Sequence, residues 1–305
     1  MLRITILGTG ALACLFGARL AGIAKVVLLG TWQAGIAALN DEGILIESQE
    51  GESRFVVRAT DQVRLAGNAD FVLVLVKSWQ TQRAAQQAVQ VLRENGLALT
   101  LQNGLGNYEK LSEQLGTTHA AVGVTTQGAA LLGPGHIRFA GGGDTHLGYN
   151  EQIVSKIETL ASLFNQANIP TKLTDDLEAT LWGKLVANAG INPLTALLRV
   201  PNGELLNRPD AEALMVAAAE ETASVAAAQG VTIPFEAGKR VRKVARVTAE
   251  NRSSMLQDVL RGAPTEIDAI SGAVVRAGQR LGVATPVNDV LWRLIRAFRA
   301  DVKQV

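Results

Sequence analysis

The apolar positions change rhythm once along the chain. Up to residue 174, short apolar runs alternate with stretches of helical spacing; beyond it, helical spacing dominates. Leu2–Leu7 is a compact run with β-branched residues, which predicts a strand buried on both faces. A helical pattern resumes after Gly10. Lys25–Leu29, Asp70–Val76, Leu97–Leu101 and Ala120–Val124 repeat the strand pattern. Ala84–Asn95 predicts a helix stopped by Gly96, and Glu151–Ala167 another before a break at Ile169-Pro170-Thr171. Gly43–Ser48 and Arg54–Ala59 alternate polar and apolar residues and predict a strand pair. Gly133-Pro134-Gly135 predicts a turn between antiparallel strands, and Gly141-Gly142-Gly143 a further turn. From Asp175 on the pattern predicts long helices over 207–229, 235–250, 265–281 and 286–302. The expected organisation is an α/β domain over residues 1–174 followed by an all-α domain over 175–305, without internal repeats.

Within the helical half, Leu181–Pro193 is largely apolar yet carries Lys184, Asn188 and Asn192 at i, i+4 and i+8. In a helix that spacing stacks all three on one face, while Pro193 disturbs the run. Burying such groups without partners costs about 1–3 kcal/mol for each amide and more for the ammonium. Asn is also a poor helix former, so propensity does not account for the pair. Two readings remain: a solvated or capping stripe, or the wall of a polar site with Lys184 as proton donor.

The first strand runs into Gly8-Thr9-Gly10-Ala11-Leu12-Ala13 and then a helix. In this G-x-G-x-x-A pattern the first glycine permits the turn and the second lets a pyrophosphate approach the backbone. The small Ala13 lets helix pack on strand. The helix N-terminus then offers free N–H groups to the phosphates. Between strand and helix at the start of the chain, this is a dinucleotide-binding signal. The second strand ends at Gly30-Thr31-Trp32-Gln33 with no acid for a ribose 2′-hydroxyl, which leans towards NADP. The usual arginine for a 2′-phosphate is missing too; Thr31 and Gln33 are possible hydrogen-bond donors or plain loop residues, and Trp32 flanks adenine or simply packs. Lys77 and Asn103 follow later strands, where ligand crevices lie. Their bland readings are a solvated lysine and a turn asparagine before glycine. Ser254 with Gln257 fits a capping box, and Glu266 a complement to the helix dipole.

The chain has 305 residues with 29 Lys+Arg against 28 Asp+Glu, a net charge of +1. That balance supplies no global field for nucleic acid or an anionic membrane and favours a small-molecule partner. The single cysteine, Cys14, excludes an internal disulfide, and His119, His136 and His146 have no metal-ligand spacing. The apolar N-terminal run superficially resembles a signal peptide, but Gly8, Gly10 and Gly17 interrupt it. No apolar run reaches membrane-spanning length, so a cytoplasmic protein, monomer or homodimer, is expected.

Taken in order, these motifs resemble the ketopantoate reductase family (2-dehydropantoate 2-reductases). The resemblance spans nearly the whole chain. It rests on the glycine turn, Val76-Lys77-Ser78-Trp79-Gln80, Gln102-Asn103-Gly104, Trp182-Gly183-Lys184-Leu185, Asn188, Asn192-Pro193-Leu194-Thr195-Ala196, Asn202-Gly203-Glu204, Ser253-Ser254-Met255-Leu256-Gln257-Asp258 and Thr265-Glu266-Ile267. It implies a Rossmann domain followed by an all-helical domain, and NADPH-dependent reduction of ketopantoate to pantoate in pantothenate biosynthesis, with NADH as a possible substitute. It implies Lys184 as proton donor and Asn103, Asn188, Asn192, Asn202 and Ser254 lining the substrate site. For the cofactor it implies the turn Gly8–Ala13, Thr31, Lys77, Asn103, a residue near Gly128, and Glu266. Two departures stand out: Ala13 replaces the last glycine of the turn, and Thr31 stands where many relatives carry an arginine. Two other readings stay open: a reductase of another branched 2-keto acid, and a non-catalytic dinucleotide-sensing protein.

Overall fold

The computed structural model describes residues 1–298, so residues 299–302 of the last expected helix lie outside the described residues. The chain forms two compact units: residues 1–102 with 107–177, and residues 103–106 with the chain from 178 onward.

The first unit is built around an eight-stranded sheet. Its elements begin β1 (Arg3–Leu7), α1 (Ala11–Leu20), β2 (Lys25–Leu29), α2 (Gln33–Asp41), β3 (Ile44–Ser48), β4 (Gly51–Phe55), β5 (Arg58–Thr60) and α3 (Val63–Ala66). They continue with β6 (Ala69–Val74), α4 (Thr81–Val91), β7 (Leu92–Thr100), α5 (Asn107–Leu115), β8 (Ala120–Thr125), β9 (Gly128–Gly133), β10 (His136–Gly141), β11 (Thr145–Gly148), α6 (Val154–Gln166) and β12 (Thr171–Thr174). The strand order is β12-β11-β8-β7-β6-β1-β2-β5, parallel except where β11 meets β8. The short apolar runs are central strands because both faces are covered. Ile4, Ile6, Phe71 and Leu73 pack with Phe16 and Phe164 on one side, and Leu7, Val72 and Val74 with Ala84, Ala85 and Ala88 on the other. A smaller sheet, β4-β3-β10-β9, carries the expected antiparallel turn at Gly133–Gly135.

Two sequence expectations are corrected in this unit. The helix expected over 84–95 spans Thr81–Val91, and Leu92–Asn95 already belong to β7. The segment expected as one strand over 54–59 is divided. Arg54 and Phe55 pair antiparallel with β3, whereas Arg58 and Ala59 pair parallel with β2 in the other sheet. Val56, 88% exposed, lies between the two pairings.

The second unit is helical: α7 (Leu177–Leu198), α8 (Pro209–Ala228), α9 (Ala237–Val247), α10 (Ser254–Leu260), α11 (Ser271–Leu281) and α12 (Pro286–Phe298). The helix α7 runs through Pro193 rather than ending there. Its glycines are a packing requirement: a Cβ on Gly190 would stand 2.7 Å from the Met215 carbonyl of α8. Pro286 opens α12, and Glu221 of α8 accepts from the Val287 and Asn288 N–H groups at 2.8 and 2.9 Å. A carboxylate on orphan N–H groups satisfies the helix end and complements its dipole. The helix expected from Thr265 begins at Ser271, and Glu266–Ile270 form turns ahead of it. No helix among the described residues is long and apolar enough to cross a membrane.

Candidate active site

In the first unit the turn between β1 and α1 is shaped for close approach. Gly8 sits at φ +130°, where a Cβ would also stand 3.1 Å from the Leu75 carbonyl, so glycine is required. Gly10 caps α1 without a side chain, and a Cβ there would point into open space. The first turn of α1 holds no acid. Its orphan N–H groups therefore face an open position with no carboxylate of their own helix competing, which fits a pyrophosphate. Ala13 is buried where the helix meets the sheet, as its small size predicts, and Ala11 and Leu12 are half-buried. Thr9 is buried under Gly30, whose Cβ would fall 2.7 Å from the threonine methyl. Cys14 donates towards the Thr9 carbonyl, and burial pushes its thiol up to about 12, so it is no nucleophile at neutral pH.

Thr31 is exposed just past β2, and Trp32 lies over Gly35 of its own helix. Lys77, half-buried, follows β6 at the head of a one-turn 3-10 helix. Its backbone is set from beneath: Gln102 Nε2 donates to the Val76 carbonyl at 2.8 Å and to Thr81 Oγ1 at 2.9 Å, and Thr81 donates to Asn107 Oδ1 at 2.8 Å. These buried polar residues are positioning groups that the sequence reading passed over. The available signal was a glutamine directly after an apolar strand, where burial demands partners. Gly128 opens β9 in the smaller sheet and pairs with Gly141.

In the second unit the expected face of α7 forms. Lys184 and Asn188 are half-buried and Asn192 is buried. Glu266 is only 5% exposed, and Asn103 Nδ2 donates to its Oε2 at 3.1 Å. The protein around the Lys184 ammonium strips its hydration and lowers its pKa to about 8, the negative charge of Glu266 opposing that shift. Three residues far apart in sequence, Asn103, Lys184 and Glu266, therefore share one electrostatic environment. Glu266 precedes α11 rather than lying in its first turn, so its expected role as a helix-dipole complement is replaced by these contacts.

The capping reading of Ser254 is corrected by one residue. Ser253 is the N-cap of α10, its Oγ accepting from Leu256 N at 3.1 Å, and Ser254 is the first helical residue. Ser253 Oγ also meets Thr195 Oγ1 at 2.7 Å, and Thr195 donates to the Asn192 carbonyl. This chain of bonds sets Ser254 beside the Asn192 turn of α7. Ser253→Ala is expected to lower stability by about 1 kcal/mol, the usual worth of an N-cap, in denaturant unfolding. Asn202, in a 3-10 turn, donates to Thr248 Oγ1 at 2.9 Å, and its N–H donates to the Asn251 carbonyl. It thereby anchors the segment leading to Ser253. Among the described residues no group of three His, Cys, Asp or Glu is placed to hold a metal ion.

Known proteins resemble this chain in sequence and in fold. The family model described as ketopantoate reductase PanE/ApbA matches residues 4–152, and its C-terminal counterpart matches residues 176–299. The 2-dehydropantoate 2-reductase of Archaeoglobus fulgidus is 38% identical over 98% of this chain and 99% of its own. That of Halobacterium salinarum is 37% identical over 98% of this chain and all (100%) of its own. The crystal structure of a PanE/ApbA family ketopantoate reductase from Ralstonia eutropha superposes with a TM-score of 0.90 at 32% identity, covering 99% of this chain and 100% of that one. With both halves matched and full-length relatives well above 30% identity, the chain belongs to the ketopantoate reductase family.

Proposed function

We propose that the protein reduces ketopantoate to pantoate, a step of pantothenate biosynthesis, using a nicotinamide dinucleotide. The observation that carries this reading is the Lys184 ammonium, tuned to about 8 beside a buried glutamate on a helix face shared with two amides. The activity named for the relatives supports the substrate.

When bound, the dinucleotide would supply the hydride for the ketone carbon. The Gly8–Ala13 turn and the start of α1 would hold its pyrophosphate, and Lys77, Asn103, Gly128 and Glu266 are the residues proposed to complete its contacts. Negative charge develops on the ketone oxygen, and Lys184, still mostly protonated at pH 7, donates a proton there. Asn188 and Asn192 orient the keto acid through their amides, Asn103 ties Glu266, and Asn202 braces the substrate side. Ser254 receives the substrate carboxylate.

The test is turnover of ketopantoate by the purified protein, run beside a panel of branched 2-keto acids. The highest kcat/KM on ketopantoate is expected. A branched analogue turned over tenfold better, to order of magnitude about 1.4 kcal/mol of transition-state preference, would reassign the substrate. Dinucleotide binding without turnover of any keto acid would favour a sensing protein. Ser254→Ala is expected to raise KM for the keto acid more than KM for the dinucleotide; an unchanged keto-acid KM would leave that serine outside the site.

A further inference from the structure

Specificity for the adenosine end of a dinucleotide is set at the carboxyl end of the second strand. There β2 meets the edge strand β5, with Leu29 opposite Thr60 and Gly30 N donating to the Thr60 carbonyl at 3.0 Å. The next residue on that edge is Asp61. Gln33 Nε2, two residues beyond Thr31, donates to Asp61 Oδ2 at 3.0 Å. An exposed carboxylate, just past an edge strand distant in sequence, is therefore tied to Gln33 at the start of α2.

The segment after β2 supplies no cation of its own for a 2′-phosphate. From Val26 to Ser53 the chain has no lysine, arginine or histidine. Arg64, just past Asp61, is engaged by Gln62 Oε1 through Nε and Nη2 at 3.1 and 3.0 Å. Arg58 lies back along β5, opposite Val27. A ribose 2′-hydroxyl donates to a carboxylate; a 2′-phosphate, carrying up to two negative charges, is repelled by one.

We propose that Asp61 selects against the 2′-phosphate, so that this protein takes NADH in preference to NADPH. The proposal rests on the reading that the first unit binds a nicotinamide dinucleotide. It runs against the lean towards NADP that followed from the missing acid at the end of β2. An acid is present all the same, carried by the residue that follows β5. A carboxylate within several ångströms of a phosphate at a solvent-facing edge discriminates by about tenfold.

Isothermal titration calorimetry with NAD⁺ and NADP⁺ tests it without turnover. On the unaltered protein NAD⁺ is expected to bind about tenfold more tightly. Asp61→Asn keeps an acceptor for Gln33 and removes the charge. It is expected to close that gap, chiefly by tightening NADP⁺. The ratio of kcat/KM for NADH and NADPH should follow the binding ratio. Tighter NADP⁺ binding by the unaltered protein, or an Asp61→Asn variant whose ratio is unchanged, overturns the proposal while leaving dinucleotide binding intact. Binding of neither nucleotide overturns the dinucleotide reading itself, and this proposal with it.

Discussion

Replacing Lys184 with methionine is expected to lower kcat for keto-acid reduction by about 10²–10⁴, the usual worth of a general acid. Methionine keeps the bulk of the stem on α7 and removes the proton. The pH profile gives a second readout. Burial lowers the lysine pKa to about 8, so below that pH the ammonium holds its proton and donates it. Above it, reduction is expected to fall by about tenfold per pH unit as the neutral amine takes over. Oxidation of the hydroxy acid, which needs that amine as base, should rise through the same pH. The charge of Glu266 raises the lysine pKa, so Glu266→Gln should move the alkaline limb of reduction to lower pH. A Lys184→Met enzyme with near-normal turnover would remove this residue from the mechanism. An alkaline limb that stays fixed in Glu266→Gln would break the link between the two.

Gly104→Ala is expected to destabilise the protein by about 3 kcal/mol or more, lowering Tm by roughly 5 °C or more for a chain of this size. Gly104 sits at φ +81°, and an added Cβ would fall 2.6 Å from the Ala269 carbonyl carbon. The obstacle is backbone, and Leu105 N donates to the same carbonyl at 3.0 Å, so the segment has little room to retreat. The neighbouring Asn103 would be carried away from Glu266, so kcat/KM should fall as well. Gly106 supplies the internal control: φ is +85°, but nothing lies within 4 Å of its Cβ position. Gly106→Ala should therefore cost only the left-handed strain, about 1–2 kcal/mol. Equal melting temperatures for the two variants would show that the approach of Ala269 is not what demands Gly104.

The parts of this site that the sequence discloses are those with a local rule behind them. The glycine turn is legible because one short segment carries the strand, both glycines and the helix start. The face of α7 is legible because helical geometry brings i, i+4 and i+8 together whatever packs against them. Ser253 and Ser254 are adjacent, and both have plausible partners three residues on. The choice between them is a question of where the helix begins, which sequence patterns place only to within a residue or two. Glu266 reads as a helix start because its surroundings are helical; its burial and its bond from Asn103 bridge 163 positions. Asp61 is the extreme case. Its role depends on the chain leaving β4 after Phe55 and joining β2 by way of Arg58 and Ala59, a switch between sheets that polar alternation cannot register.

The allegiance of residues 103–106 has a practical consequence for dissecting the protein. The backbone passes between the two units after Gln102, after Gly106 and after Leu177, so no single cut separates them cleanly. A helical fragment expressed from Glu178 would leave behind the tetrapeptide whose amide meets Glu266 and whose N–H at Leu105 meets Ala269. Its interior would carry an acid short of one donor and a carbonyl short of one proton. Limited proteolysis between Leu177 and Glu178 would, for the same reason, nick the chain without liberating a self-sufficient half.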